Sequence, residues 1–184
     1  PAGESSMKVL LRKFEIRESV ITYNDATMNL SAILNKLNYT LSGNMTLSET
    51  DLKMTLTVDE TTVRMDGINY LNKAKINSNV SLMANLDSMK FTFADNFFAV
   101  NELRLKFAGT VSMPGDDIST DLTFGTDQTS FKTLLSLVPA VYMEGYEGLR
   151  ASGSFTLTGL AKGVYSDADS TLPDIKLNLA VKDG

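Results

Sequence analysis

The side chains able to do chemistry in this chain are few, and two of the usual kinds are missing. The sequence contains no His and no Cys. Without His the commonest general base near neutral pH is lost, and a Ser-His-Asp relay cannot be assembled within the chain. Without Cys there is no disulfide, no thiolate nucleophile and no sulfur ligand for zinc. Two acidic clusters, Asp116-Asp117 and Asp167-Ala168-Asp169, carry the hard oxygens that calcium prefers. Neither sits in a D-x-[DN]-x-[DN]-G loop with a distal Glu, so both read as solvated turn acids, and no metal site is expected. Gly153, Gly159 and Gly163 are followed by no Gly-Lys-Ser/Thr and open no helix, which excludes a phosphate loop. N-x-[ST] sequons at Asn38, Asn44 and Asn79 fall inside strand patterns rich in Asn and Thr. The residues predict neither an enzyme nor a cofactor.

Charge narrows the partners. The net charge is −5, from 17 basic and 22 acidic residues, and the basic ones are scattered singly. Phosphate backbones demand a basic surface, so nucleic acid is not an expected partner. No apolar run approaches the roughly 18 residues of a spanning helix. The chain opens Pro1-Ala2-Gly3-Glu4-Ser5-Ser6 and reads as a segment of a longer polypeptide. With 184 residues, 43% of them hydrophobic, it is long enough to bury a core as one β-rich domain spanning 1–184.

The elements that would position any function are announced by a period-two beat. From Leu37 to Leu47 the odd positions are Leu37, Tyr39, Leu41, Gly43, Met45 and Leu47, whereas the even ones are Asn38, Thr40, Ser42, Asn44 and Thr46. Successive strand residues point to opposite faces, so such a stretch has one apolar and one hydroxyl/amide face. The beat returns at Leu52, Met54, Leu56 and Val58, at Ile76, Val80 and Leu82, and at Leu103, Leu105 and Phe107. It reappears at Phe155 and Leu157 and at Ile175, Leu177, Leu179 and Val181. Expected strands lie near 7–17, 20–23, 26–34 (where Met28, Leu30, Ala32 and Leu34 alternate but would also suit a short helix), 37–47, 51–58, 61–66, 74–86, 89–95, 97–113, 118–125, 148–165 and from about 175. Glu18-Ser19 separates the first two of these, as in a hairpin or a bulged pair. Met113-Pro114-Gly115-Asp116-Asp117 is a turn signal.

One stretch changes period. Phe131, Leu134, Leu135 and Val138 are spaced i, i+3, i+4, i+7, which predicts a short helix of two to three turns near 127–138 that docks through those four residues. Asp127 or Thr129 would cap it and Pro139 would end it. The fold class that follows is mainly β: a long antiparallel sheet of about ten strands, curled into a groove or a sandwich, with that one helix.

The last third carries a resemblance. Ser130-Phe131-Lys132-Thr133-Leu134-Leu135-Ser136-Leu137-Val138-Pro139 is followed by Gly153-Ser154-Phe155-Thr156-Leu157-Thr158-Gly159, Ala161-Lys162-Gly163 and Leu172-Pro173. These segments resemble the AsmA family, relatives of TamB, in its "SF-x-x-LL-x-L-x-P" helix and "G-x-F-x-L-x-G-x-x-x-G" strand. Upstream, Ile16 to Asp25 is similar to the recurring "I-x-x-g-x-I-x-Y-x-D" hairpin, with Ser19 or Glu18 where the usual Gly stands.

The resemblance implies a segment of a Gram-negative envelope protein. It would be periplasmic, held to the inner membrane by an anchor outside this segment, and continued by neighbouring β repeats. It further implies a part in phospholipid transport and outer-membrane biogenesis, with no catalytic residues. The beat suits that role, since an apolar sheet face can shelter acyl chains. The lipid-facing candidates are Leu37, Tyr39, Leu41, Met45, Leu52, Met54, Leu56, Ile76, Val80, Leu82, Leu103, Leu105 and Phe107. Two alternatives stand beside it: a purely structural β-module, and an adhesin-like or carbohydrate-binding module, which the absence of Trp disfavours.

Overall fold

The computed structural model describes residues 12–45, 49–113, 115–146 and 148–183. The expected strand start at Met7, Leu47 and Pro114 lie outside the described residues, as does the side chain of Met45. Ten strands form one antiparallel sheet: β1 (Lys13–Asp25), β2 (Leu30–Met45), β3 (Glu49–Met65), β4 (Ile68–Asn85), β5 (Lys90–Val100), β6 (Leu103–Ser112), β7 (Ile118–Thr126), β8 (Thr129–Ser130), β9 (Ser154–Tyr165) and β10 (Asp174–Lys182). The order β1-β2-β3-β4-β5-β6-β7-β9-β10 follows the chain, with β8 as a short rung on β9, so β1 and β10 are the open edges among the described residues. Every named neighbour pair is antiparallel, including β7 and β9, which the segment carrying β8 and the helix connects.

Register shifts bend this sheet. β1 shifts against β2 on both sides of Ser19, and β3 shifts against β4 between Val58 and Arg64. Glu18, Lys36 and Lys73 at this level adopt φ of 46°, 52° and 52°, left-handed conformations that extra bulge residues occupy. Lys36 pairs with Asp59 at 3.7 Å and Lys73 with Glu60 at 3.5 Å, so the bulge row carries its charges outward. Inward of the same row, Leu37, Val58 and Ile76 are buried side by side, with Ile16, Leu34, Tyr39, Leu56 and Val100 packed against them. This burial comes from neighbours in the same sheet, as a curled sheet provides.

Three asparagines repair the ladder where it is disturbed. Asn38 Oδ1 accepts the Glu18 N–H at 3.1 Å, Asn96 Oδ1 that of Ser81 at 2.6 Å, and Asn101 Oδ1 that of Lys75 at 2.9 Å. A backbone donor left unpaired in a sheet costs about 1–3 kcal/mol, so each substitution of side chain for carbonyl matters. The Asn96 repair also corrects an expected boundary. Strands expected at 89–95 and 97–113 divide instead at Asn101-Glu102, because Asp95 (φ 53°) makes a bulge within β5 rather than a turn. Likewise 51–58 and 61–66 are one strand, β3, through its irregularity at residues 59–60.

The helix α1 (Phe131–Leu135) is a little over one turn long. Its cap is Ser130, whose Oγ accepts the Thr133 N–H at 3.1 Å; Thr129, paired with Phe155 in β8, is held in the ladder and Asp127 precedes it. Propagation stops early because the N–H groups of Leu137 and Val138 reach back three residues, to Leu134 and Leu135, and Pro139 follows. A 3-10 turn at Ala140–Met143 leads onward to β9.

Candidate functional site

Cross-strand partners share a face, so register tells which residues line each side. Leu37 stands opposite Val58, Tyr39 opposite Leu56, Leu41 opposite Met54, and Gly43 opposite Leu52. The row continues from Leu52 to Leu82, from Met54 to Val80 and from Val58 to Ile76. Ile76 meets Val100 in β5, Val100 meets Leu103, Phe98 meets Leu105 and Asn96 meets Phe107. The twelve candidates with described side chains therefore share one face, and Met45 stands opposite Thr50 at the end of β2. The alternation extends this face to Phe14, Ile16 and Ile21 in β1, to Leu122 and Phe124 in β7, and to Ile175, Leu177, Leu179 and Val181 in β10.

The candidates do not all sit alike. Leu37 and Ile76 are buried at the bulge row, so they form the floor of the curl and are shielded by Tyr39, Leu56 and Val100. Leu105 is 36% exposed and stands open on the face. The others are half-buried, and Phe107 tilts against Phe93 with ring centroids 6.0 Å apart. Val100, Phe91, Phe93, Phe98, Leu122 and Phe124 join the same face although they are not among the candidates, as does Val58, which belongs to the beat. Alternation is the signal for all of them; in β5 the bulge at Asp95 changes its phase.

Three polar residues that fall on this face turn their hydroxyls into the backbone, whereas the buried Thr61 Oγ1 has no partner among the described residues. Ser78 Oγ donates to Phe97 O at 3.0 Å, Thr120 Oγ1 to Gly163 O at 3.4 Å, and Thr126 Oγ1 accepts from Leu157 N at 3.0 Å. Burying polar groups is costly unless they are paired. Once paired to the sheet itself, they leave an apolar surface behind.

The opposite face is wet. Asn38, Thr40, Thr55, Asn79, Lys106, Asp121, Lys162 and Lys176 occupy its positions, none of them buried. Lys162 pairs with Asp121 at 2.7 Å and Lys106 with Asp127. Arg104 stacks over Phe97 with its guanidinium 4.1 Å from the ring centroid, which shields the largest apolar side chain on that side. Near the free edge of β1, the Glu15 carboxyl is held below the usual range by hydrogen bonds from Arg17 and then Lys13. No group of three metal-ligating side chains occurs among the described residues.

The helix docks differently from the expected stripe. Phe131 packs on Phe155 with centroids 5.3 Å apart, and Leu135 is half-buried. Leu134 and Val138, however, are exposed, at 38% and 36%. The buried helix residue is Thr133, whose Oγ1 donates to Glu102 Oε2 at 3.2 Å and whose backbone is held by Ser130. Anchoring Thr133 to the β5–β6 turn rotates Leu134 toward solvent. Further on, Tyr142 reaches β4, its hydroxyl 3.3 Å from that of Tyr70, beyond the point where β5 has ended. Ionising Tyr70 would sacrifice that bond, which raises its pKa above the ordinary tyrosine value.

No family model, no curated protein and no solved structure matches this chain.

Proposed function

We propose that this chain is a non-enzymatic, lipid-sheltering segment of a cell-envelope protein of the AsmA type, whose curled apolar face holds acyl chains. The observation that carries the reading is one apolar face running through the sheet from β1 to β10, on which Ser78, Thr120 and Thr126 hydrogen-bond into the backbone. Removing acyl chains from water is favourable by about 25 cal/mol per Å² of apolar surface covered. A face without one deep pocket offers similar contacts along its length, so a lipid can shift along it at small cost.

The resemblance of the Ser130–Pro139 and Gly153–Gly163 motifs to that family supports a periplasmic setting. The membrane anchor and neighbouring β repeats would lie in other parts of a longer chain. Leu41, Leu52, Met54, Val80, Leu82, Leu105 and Phe107 are then the contact surface, over a floor of Leu37, Val58 and Ile76. Head-group specificity is not expected, because the basic residues lie on the wet face.

Organic extraction of the purified chain tests this. Co-purified phospholipid in stoichiometric amount supports the reading. Protein that is free of lipid and takes up none from vesicles would leave a structural β-module as the better account. The buried Leu37-Val58-Ile76 row is the observation that favours that second reading, since it makes a small core without any ligand.

A further inference from the structure

The two open edges differ. β1 is blunted by its bulge at Glu18 and by the ion pairs of Glu15 with Lys13 at 3.1 Å and Arg17 at 2.8 Å. Bulges and charges are the usual guards against edge pairing. β10 runs in unbroken register with β9 from Asp174 to Lys182, without bulge or Pro. On its apolar face Ile175, Leu177, Leu179 and Val181 are 65%, 59%, 62% and 52% exposed.

The direction of its unpaired groups can be read from the neighbouring strand. Leu157 donates its N–H toward β7, to Thr126, so the backbone groups of Thr156 and Thr158 turn toward β10. Their partners Ala180 and Asn178 face inward. By alternation, the N–H and C=O groups of Ile175, Leu177, Leu179 and Val181 face the empty edge.

We infer that this edge is a self-association surface, and that its partner is β10 of a second copy of this chain, paired antiparallel about a two-fold axis at Asn178. In that register Asp174 stands opposite Lys182 of the other copy at both ends of the pair. Ile175 meets Val181 and Leu177 meets Leu179, so four residue pairs exchange two backbone bonds each. The two Asn178 side chains meet on the polar face. Shifting the register by two in either direction separates Asp174 from Lys182, and one of those shifts sets Lys176 against Lys182. Charge complementarity therefore selects both the partner and the register. The apolar faces of the two copies become continuous, whether or not they hold lipid.

The test uses the cysteine-free 184-residue chain, in which an introduced thiol can only cross-link between copies. The wild type should sediment as a concentration-dependent dimer, and monomer up to about 100 µM would overturn the inference. Asn178→Cys should oxidise to a covalent dimer, because a non-hydrogen-bonded pair sets its Cα atoms about 4.5 Å apart. Lys176→Cys should not, since its mate lies four residues along the partner strand, about 13 Å away. Equal cross-linking of the two would exclude this register. Asp174→Lys should weaken the dimer roughly tenfold, and adding Lys182→Asp should restore it. A swap that restores nothing would overturn the pairing. Leu179→Pro removes an outward N–H and should yield a folded monomer by circular dichroism and sedimentation. A Leu179→Pro chain that still dimerises would place the interface elsewhere.

Discussion

Asn96 Oδ1 accepts the backbone N–H of Ser81 at 2.6 Å and so fills the gap that the Asp95 bulge opens between β4 and β5. Asn96 is 1% exposed and sits opposite Phe107, on the apolar face. A polar residue in that place is tolerated because its acceptor replaces a ladder carbonyl, although its Nδ2 finds no partner. Asn96→Ala should therefore strand the Ser81 N–H and lower stability by about 1–3 kcal/mol in urea unfolding. An unchanged midpoint would show that the ladder closes without the side chain.

Gly109 has φ of 132° on the apolar face, and a Cβ built there would stand 2.1 Å from Asp121 O. Gly109→Ala must strain the backbone and push β6 from β7. A loss of about 1–3 kcal/mol is expected from strain alone. Gly115→Ala, at φ 73° with open space around it, should cost less, and thermal melts of the pair check the order.

The helix residues separate likewise. Phe131→Ala removes the ring contact with Phe155 and should cost about 2–3 kcal/mol, less than a fully buried ring would. Leu134→Ala, on an exposed position, should stay within about 0.5 kcal/mol. Equal losses would mean that Leu134 is covered in solution.

For lipid handling, Leu105→Asp or Met54→Lys should abolish acyl-chain binding, because an unpaired charge on an apolar surface is costly to desolvate. Thr55→Lys, on the wet face, should be silent. Photo-crosslinking probes in cells at positions 54 and 105 should label lipid, whereas probes at 55 and 104 should not. Equal labelling of both faces would count against the groove.

The Tyr70-Tyr142 contact gives a pH signature. The folded pKa of Tyr70 lies above its usual 10.0, so this contact adds stability below that pH and loses it as pH rises through the raised value. Phenolate absorbance should show one tyrosine titrating late, and Tyr142→Phe should bring it back toward the ordinary range. A profile unchanged by Tyr142→Phe would show that the two hydroxyls are not bonded in solution.

Much of this architecture is written locally in the chain. The alternation from Leu37 through Val181 assigns each strand a wet and an apolar side, because a period of two leaves a strand only two choices. Absent His and Cys remove the commonest catalytic chemistry before any fold is known. What the alternation leaves open is phase across irregularities: at Lys36, Lys73 and Asp95 an extra residue enters at positive φ, and only the pairing of neighbouring strands shows where it goes. At Asp95 the change of phase looks like a strand end in the sequence, although β5 runs through it and carries Phe93 and Phe98 on the apolar face. Burial is equally non-local. Leu37 and Leu105 share a face and a residue type, yet one is floor and the other open surface, because Leu37 sits among Val58, Ile76 and their neighbours at the bulge row and Leu105 does not. The helix makes the same point, since the Phe131-Leu134-Leu135-Val138 stripe is a correct local periodicity. The hydrogen bond from Thr133 to Glu102, a residue 31 positions away, and the Phe131–Phe155 ring contact decide which side of it faces the protein.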